Sequence, residues 1–426
     1  MIGSIAQNII GLIDTAFMGR VGEVELAAAA LGSVYYFVMY MMAHSFNNGM
    51  QIIIARRSGE QNVNAIGKTF DTQIFVALFL ILIQYINLYF ITPHILHLIG
   101  GSNEVRNKVL DFLQFRGMGI AFAVFNSLFM CFFIGIGITR VINFTTIVTA
   151  AVNIFFAWIF VFGNLGFPAM GIKGAGLASS FADIAATIVF LFYIFKNKFH
   201  ERFFLFRFLK YDFQLLKNML KLATPIFFQQ LITMSTWFAF FVFIEHRGEK
   251  ELAVSNIIKS IYIFMSIPTW ALAQTTNTMV SNLIGQRRPE DVMKLVRKIA
   301  KMNLLIAFFI GIILIVFRVF IVSIYTNDLQ LIDEAIKIYP VVILASFIAS
   351  VSFIYLFAVT GTGSSQWALL AEIISITIYL VYVYFTSIVF ASDLKIIWGA
   401  EALYWIIALI LSAGFLKWGR WRVNKI

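Results

Sequence analysis

Gly22-Glu23-Val24-Glu25-Leu26-Ala27 and Gly248-Glu249-Lys250-Glu251-Leu252-Ala253 share five of six residues, 226 positions apart. Extending that register without a gap places Phe17 on Phe243, Tyr36 on Tyr262, Met39 on Met265, Gly59 on Gly285 and Lys68 on Lys294. A single short match arises by chance in a biased sequence. Matches distributed from Phe17 to Lys68 point instead to an internal repeat.

What repeats is apolar. Of the 426 residues, 61% are apolar and 12% charged, with 47 Phe and 8 Trp. Soluble domains run at about 45–50% and about 25%, so this much apolar surface has to face lipid. Runs of the roughly 20 residues that cross about 30 Å of hydrocarbon fall at 1–19, 25–55, 66–91, 104–136, 141–163, 172–195, 213–245, 250–283, 292–325, 332–360, 366–391 and 396–417. All must be helical, because an open sheet leaves backbone groups unsatisfied in lipid. The short stretch 92–101 reads as an interfacial helix. The lone Cys131 excludes an internal disulfide framework and any Cys-based zinc or iron–sulfur site.

Six spans before the repeat give both copies the same orientation. The expected fold is therefore an all-α polytopic membrane protein: twelve transmembrane helices in two six-helix lobes related by a parallel pseudo-two-fold repeat, with a substrate cavity between the lobes. The lobes are assigned to 1–196 and 213–417, joined by a cytoplasmic linker at 197–212 and followed by a basic tail at 418–426. An amphipathic surface helix is expected in the linker. Span seven begins near Leu220 to Pro225, which maps before residue 1. The first helix thus reads as truncated, with a natural start expected upstream.

A net charge of +11 would suggest nucleic acid in a soluble protein; here it reports topology. Even-numbered connections and the tail hold 21 of the 32 Lys and Arg, odd-numbered connections and their flanks hold ten, and Lys259 is assigned alone to a span. By the positive-inside rule the even connections and both termini are cytoplasmic, in a multi-pass plasma-membrane protein that needs no nucleic acid.

The stretch Leu12-Ile13-Asp14-Thr15-Ala16-Phe17-Met18-Gly19-Arg20-Val21-Gly22 resembles the first-helix signature of the multidrug and toxic compound extrusion (MATE) transporters. Ala55 to Glu60 is similar to that family's end of helix two, and Phe162 to Ser179 to its helix five–six hairpin. Leu222-Ala223-Thr224-Pro225 and Val280 to Gln286 resemble the seventh and eighth helices. The resemblance covers essentially the whole chain in order. It implies secondary active export of amphipathic or cationic organic compounds in exchange for H⁺ or Na⁺, by rocking of the lobes. It also implies a self-contained monomer without a cofactor, working with small organic molecules in a lipid bilayer.

Five acids are assigned to the spans or their ends: Asp14, Asp183, Glu245, Glu372 and Glu401. An ionisable group near the bilayer centre costs at least ~2.5–3.5 kcal/mol unless it faces protein or water. The resemblance carries the family's first-helix coupling carboxylate onto Asp14. The family often has a second acid in helix five, one turn after an Asn. Here Asn153 is present but Ala157 stands four residues later, so Asn153 is left as a hydrogen-bond partner for Asp14, with Ser179 as a further oxygen. Some sodium-dependent members carry acids in helices seven and ten; Gln229 to Thr236 and Ala349 to Leu356 contain none, which favours H⁺ over Na⁺. Glu245 and Lys259 read as a structural or gating ion pair across the turn between spans seven and eight. Glu372 and Glu401 read as acids answering Lys or Arg at an interface. His44 among Met39, Met41, Met42 and Met50, and Tyr36 and Tyr262, read as candidate walls of a substrate cavity, against a plain packing role.

Two rival classes can be weighed on residues. His200-Glu201 begins a zinc-protease-like string, but the fifth position is Phe204 and no Walker loop occurs, so neither a metalloprotease nor an ATPase is expected. A lipid-linked oligosaccharide or other lipid flippase of the same superfamily needs several buried cations for its headgroup. Only Lys259 and, near a span end, Arg318 were available for that role.

Overall fold

A computed structural model of the chain describes residues 2–99, 102–207 and 212–423; Tyr211 of the linker and the last three tail residues fall outside them. The described residues are helical, with no strand. Twelve segments follow in order: α1 Ile2–Val21, α2 Glu23–Gly59, α3 Val63–Ile86, α4 Asn103–Gly117 with Ile120–Gly135, α5 Arg140–Phe162, α6 Ile172–Lys196, α7 Phe213–Glu245, α8 Glu249–Gly285, α9 Val292–Val316, α10 Leu329–Gly361, α11 Ser365–Tyr384 and α12 Leu394–Trp418. Ten helices are long and apolar enough to cross a membrane, and the two pieces of α4, bent by 55°, make an eleventh. Helix α1 precedes them in the first-helix position. The stretch read as a separate interfacial helix belongs to α3, which runs on through a π turn at Asn87–Ile91 into Thr92–Ile99.

The repeat is a repeat of helix boundaries. Both α2 and α8 are 37 residues long, start directly after Gly22 and Gly248, and end at Gly59 and Gly285. Each start carries two Glu in its first turn, where the helix dipole favours negative charge. The second Glu folds back over the turn, so a Cβ on Gly22 would lie 2.7 Å from Glu25 Oε2, and one on Gly248 2.9 Å from Glu251 Oε2. Gly248 also has φ +138°, a conformation that L side chains rarely adopt. The opening hexapeptide is thus a helix-starting device used twice. The same register takes Asn103 and Gly135, the ends of α4, onto Leu329 and Gly361, the ends of α10. Helices α6 and α12 are both 25 residues and correspond at 222, Ile172 to Leu394.

Two compact units result, Met1–Ala223 and Thr224–Ile426. The division falls inside α7 rather than in the linker, because the start of α7 packs on α2: Gly49 leaves room for Ala223, whose Cβ would be 2.8 Å from a Cβ there. Among its described residues the linker contains one helical turn, Phe199–Arg202, with Phe199, Phe203 and Leu205 buried. A longer amphipathic helix is replaced by docking onto α3. The Phe206 N–H donates to Asp71 Oδ1 at 2.7 Å, and a Cβ on Gly67 would come within 2.1 Å of the Phe203 carbonyl oxygen. In the basic tail, Trp421 is buried and its Nε1–H donates to the Leu416 carbonyl.

Candidate ion-coupling site

Small residues on α6 set the geometry of the first lobe. A Cβ on Gly174 would meet the Phe160 backbone of α5 at 2.6 Å, and one on Gly176 the Phe112 carbonyl of α4 at 2.7 Å. Such stripes let membrane helices approach closely, where dispersion and short hydrogen bonds act. One turn further, Ser180 lies against Gly119 at the break in α4 and its hydroxyl donates to the carbonyls of Phe115 and Arg116. That bond supplies partners for carbonyls that the end of a helical segment leaves free.

With α6 placed so closely, its polar side chains reach both neighbours. The Asn153 amide of α5 donates to Ser179 Oγ at 3.1 Å. On α4, Arg116 Nη1 donates to Asp183 Oδ2 at 2.6 Å, both side chains being about 15% exposed (14% and 15%). The Arg116 guanidinium lies 4.0 Å over the Tyr36 ring of α2. Asn126 and Thr187 complete the cluster: Asn126 Nδ2 donates to the Asp183 carbonyl and Thr187 Oγ1 to Asn126 Oδ1.

Asp14 is half-buried on α1, which packs against α5 and α2, and Arg116 bears on it electrostatically. Its Oδ1 is buried without a hydrogen-bond partner, as are the Tyr36 hydroxyl and Asn153 Oδ1. No hydrogen bond joins Asn153 to Asp14; the amide goes to Ser179 instead. Ala157, where a second acid would stand, is buried.

The second lobe holds its acids differently. Glu372 on α11 and Glu401 on α12 are 2% and 4% exposed, and no Lys or Arg pairs with either among the described residues. Glu372 accepts from Thr233 Oγ1 at 2.8 Å, from the Tyr404 hydroxyl, and from Gln229 Nε2 at 3.5 Å. Glu401 accepts from the Tyr379 hydroxyl at 3.0 Å, and Trp405 Nε1–H donates to the Tyr262 hydroxyl beside it. The expectation of interface acids answering basic residues is therefore corrected: both are core groups served by neutral donors. No charge of opposite sign nearby in sequence marks them, because their partners are tyrosines, a threonine and a glutamine from other helices.

Several other expectations change. Glu245 and Lys259 do not pair. Glu245 is exposed at the end of α7, while Lys259 donates to Asn256 Oδ1 at 3.1 Å and lies 4.6 Å over the Phe241 ring. The reason is distance along α8: ten residues past Glu249, at 1.5 Å each, put Lys259 about 15 Å from the turn. Nor is Lys259 the lone cation in a span, since Arg116 lies in the middle of α4. Asp71 was another acid within a span, and it is committed to Phe206. His44 Nδ1 is 3.1 Å from Ser127 Oγ of α4 and its ring stacks on Tyr40, a helix-packing position. Tyr36 and Tyr262 occupy equivalent places, one beneath Arg116 and the other accepting from Trp405.

Two bundles of membrane-crossing helices with matched boundaries, and no strand among the described residues, define an all-α polytopic membrane protein of two lobes. The chain belongs to the MatE family, whose sequence model matches residues 1–159 and 225–385. Among proteins similar to it is a probable multidrug resistance protein NorM of Thermotoga maritima, 24% identical over 380 residues, covering 88% of this chain and 80% of that one. The NorM of Bacillus licheniformis is also 24% identical, over 333 residues, covering 77% and 73%. An outward-facing structure of a multidrug resistance MATE family transporter of the MOP superfamily matches with a TM-score of 0.87 at 18% identity, over 99% of this chain and 92% of that chain. That likeness establishes the fold, twelve helices in two lobes.

Proposed function

We propose that this protein exports amphipathic or cationic organic compounds across the plasma membrane in exchange for protons, with both termini in the cytoplasm, and that Asp14 is the coupling residue. Relatives named as multidrug resistance proteins support the substrate class. The observation that carries the coupling reading is the buried Asp14 Oδ1 without a partner in a lobe where the other buried acids, Asp71 and Asp183, are both bonded. A carboxyl group away from water takes and gives up a proton with little rearrangement, and a cationic substrate competes for the same charge. The stretches of helices seven and ten where some sodium-dependent members carry acids, Gln229 to Thr236 and Ala349 to Leu356, hold none here, which favours H⁺ over Na⁺. Transport proceeds by alternating access, as a carrier rather than an enzyme, in a monomer that needs no cofactor. Arg116 is neutralised by Asp183, which favours export of cations over flipping of an anionic lipid headgroup.

The test is drug–proton exchange in inverted vesicles that contain a pH-sensitive dye and receive ethidium as the cation. Ethidium-dependent proton movement that disappears in Asp14→Asn supports the proposal. Unchanged exchange in that variant overturns the role of Asp14, and exchange that requires Na⁺ overturns the choice of ion.

A further inference from the structure

The ion pair of the first lobe has no counterpart in the second. In the 226-residue register Arg116 corresponds to Val342 and Asp14 to Phe240, and in the 222-residue register Asp183 corresponds to Trp405; all three counterparts are buried. The second lobe thus folds the same helices with apolar or aromatic residues at all three positions. Replacing a buried ion pair by packed apolar residues is often neutral or stabilising, so helix packing does not demand Arg116 and Asp183. They accompany Asp14.

The charges around them are few. Arg116 faces Asp183 of α6 and the Tyr36 ring of α2, and its charge bears on Asp14 of α1. From α2, Tyr36 and Tyr40 are the titratable groups in range of Asp183, and His44 is taken by Ser127. Helix α5, which packs on α1, offers the neutral Asn153 and has its one charged residue, Arg140, at its start. The site therefore comprises two carboxylates and one guanidinium among phenols and an amide. Of the five N–H donors of a guanidinium, Arg116 uses one on Asp183, and its others make no hydrogen bond among the described residues.

We propose that Arg116, held by Asp183, is the positioning residue for exchange at Asp14: its charge belongs to Asp183 while Asp14 carries a cation, and is shared with Asp14 once that cation leaves. This rests on the assignment of Asp14 as the coupling group. It gives the first lobe an internal counter-ion for the unloaded state, so that an empty Asp14 is not a lone buried charge.

The experiment follows the pH midpoint of ethidium–proton exchange in inverted vesicles for the wild type and four variants. Asp183→Asn leaves the guanidinium un-neutralised beside Asp14, which favours the ionised carboxylate, so the midpoint moves to lower pH by about one unit. Arg116→Gln removes the cation and leaves two carboxylates, moving the midpoint to higher pH. The double variant Arg116→Gln/Asp183→Asn brings it back towards the wild-type value, and Arg116→Lys holds it there with slower turnover. Arg116→Gln strands a buried acid and is the variant most exposed to misfolding; the double variant and Arg116→Lys are charge-balanced and carry the test without it. Midpoints that stay at the wild-type value in Asp183→Asn, or that move the same way in Asp183→Asn and Arg116→Gln, overturn the proposal. If Asp14→Asn leaves exchange intact, the coupling assignment itself has failed. If Asp14→Asn stops exchange while Asp183→Asn keeps the wild-type midpoint, only the role of Arg116 has failed.

Discussion

The two lobes are copies in their helix boundaries and opposites in their polar interiors. In the first, the Asn153 amide donates to Ser179; in the second, the equivalent pair is Tyr379 donating to Glu401. The carboxyl group has changed helix: α1 carries one in the first lobe, where the second has Phe240, and α12 carries one in the second, where the first has Ser179. Charge balance differs as well. The first lobe neutralises Asp183 with a cation and leaves an oxygen of Asp14 unbonded, while the second gives both acids neutral donors and, among the described residues, no cation. A shared scaffold therefore fixes where a polar contact between the fifth and sixth helices of a lobe falls, and leaves its chemistry free to diverge.

The comparison breaks most visibly when the first lobe is given the residue of the second. Arg116→Val strands Asp183 in the interior, an expected loss of about 3–5 kcal/mol, measured by thermal unfolding in detergent. The pair Arg116→Val/Asp183→Leu should recover most of it. A loss below about 1 kcal/mol in the single variant would show that the pair behaves as a surface contact. Tyr404→Phe, which removes a hydroxyl donor from Glu372, should cost about 1–3 kcal/mol, because a buried acceptor loses a partner that water cannot replace. Glu372→Gln keeps an acceptor for Thr233 and Tyr404 and should cost less; the reverse order would mean that the acid is not held by these donors.

The smallest effect lies outside the spans. Asp212 caps α7 by accepting from the Leu215 N–H at 3.0 Å and pairs with Lys68 at 2.7 Å. Those contacts, the Lys68 hydrogen bond foremost, hold its carboxyl below the usual carboxylate range. A lowered value means that its contribution is fully present above the unfolded carboxyl's pKa of about 3.9 and fades as pH falls through the lower folded value. Asp212→Ala should cost about 1 kcal/mol at neutral pH and nothing further in strong acid. An equal loss at both would refer the effect to packing alone.

The scaffold was legible because it is written in local periodicities: apolar runs, Gly at helix starts, and a register carried by the hexapeptide. Asp14 stands out through the resemblance around it, and its role rests on the transport test proposed above. Arg116 was not legible, because a 33-residue segment longer than the bilayer is thick gives no local sign of which turn lies inside. Glu372 and Glu401 were underrated for a related reason: the helical period says which face a residue occupies, not which hydroxyls another helix brings to it. Glu245 and Lys259 failed in the opposite sense, since opposite charges near one turn suggested a contact that the rise of the helix forbids.

The docking of 199–207 onto α3, through Asp71 and the notch at Gly67, also bears on biosynthesis. All the partners in that contact belong to the first 207 residues, so the amino-terminal half can close its own carboxyl end while the ribosome is still translating α7. The start of α7, which packs on α2 at Gly49, then completes the unit that ends at Ala223.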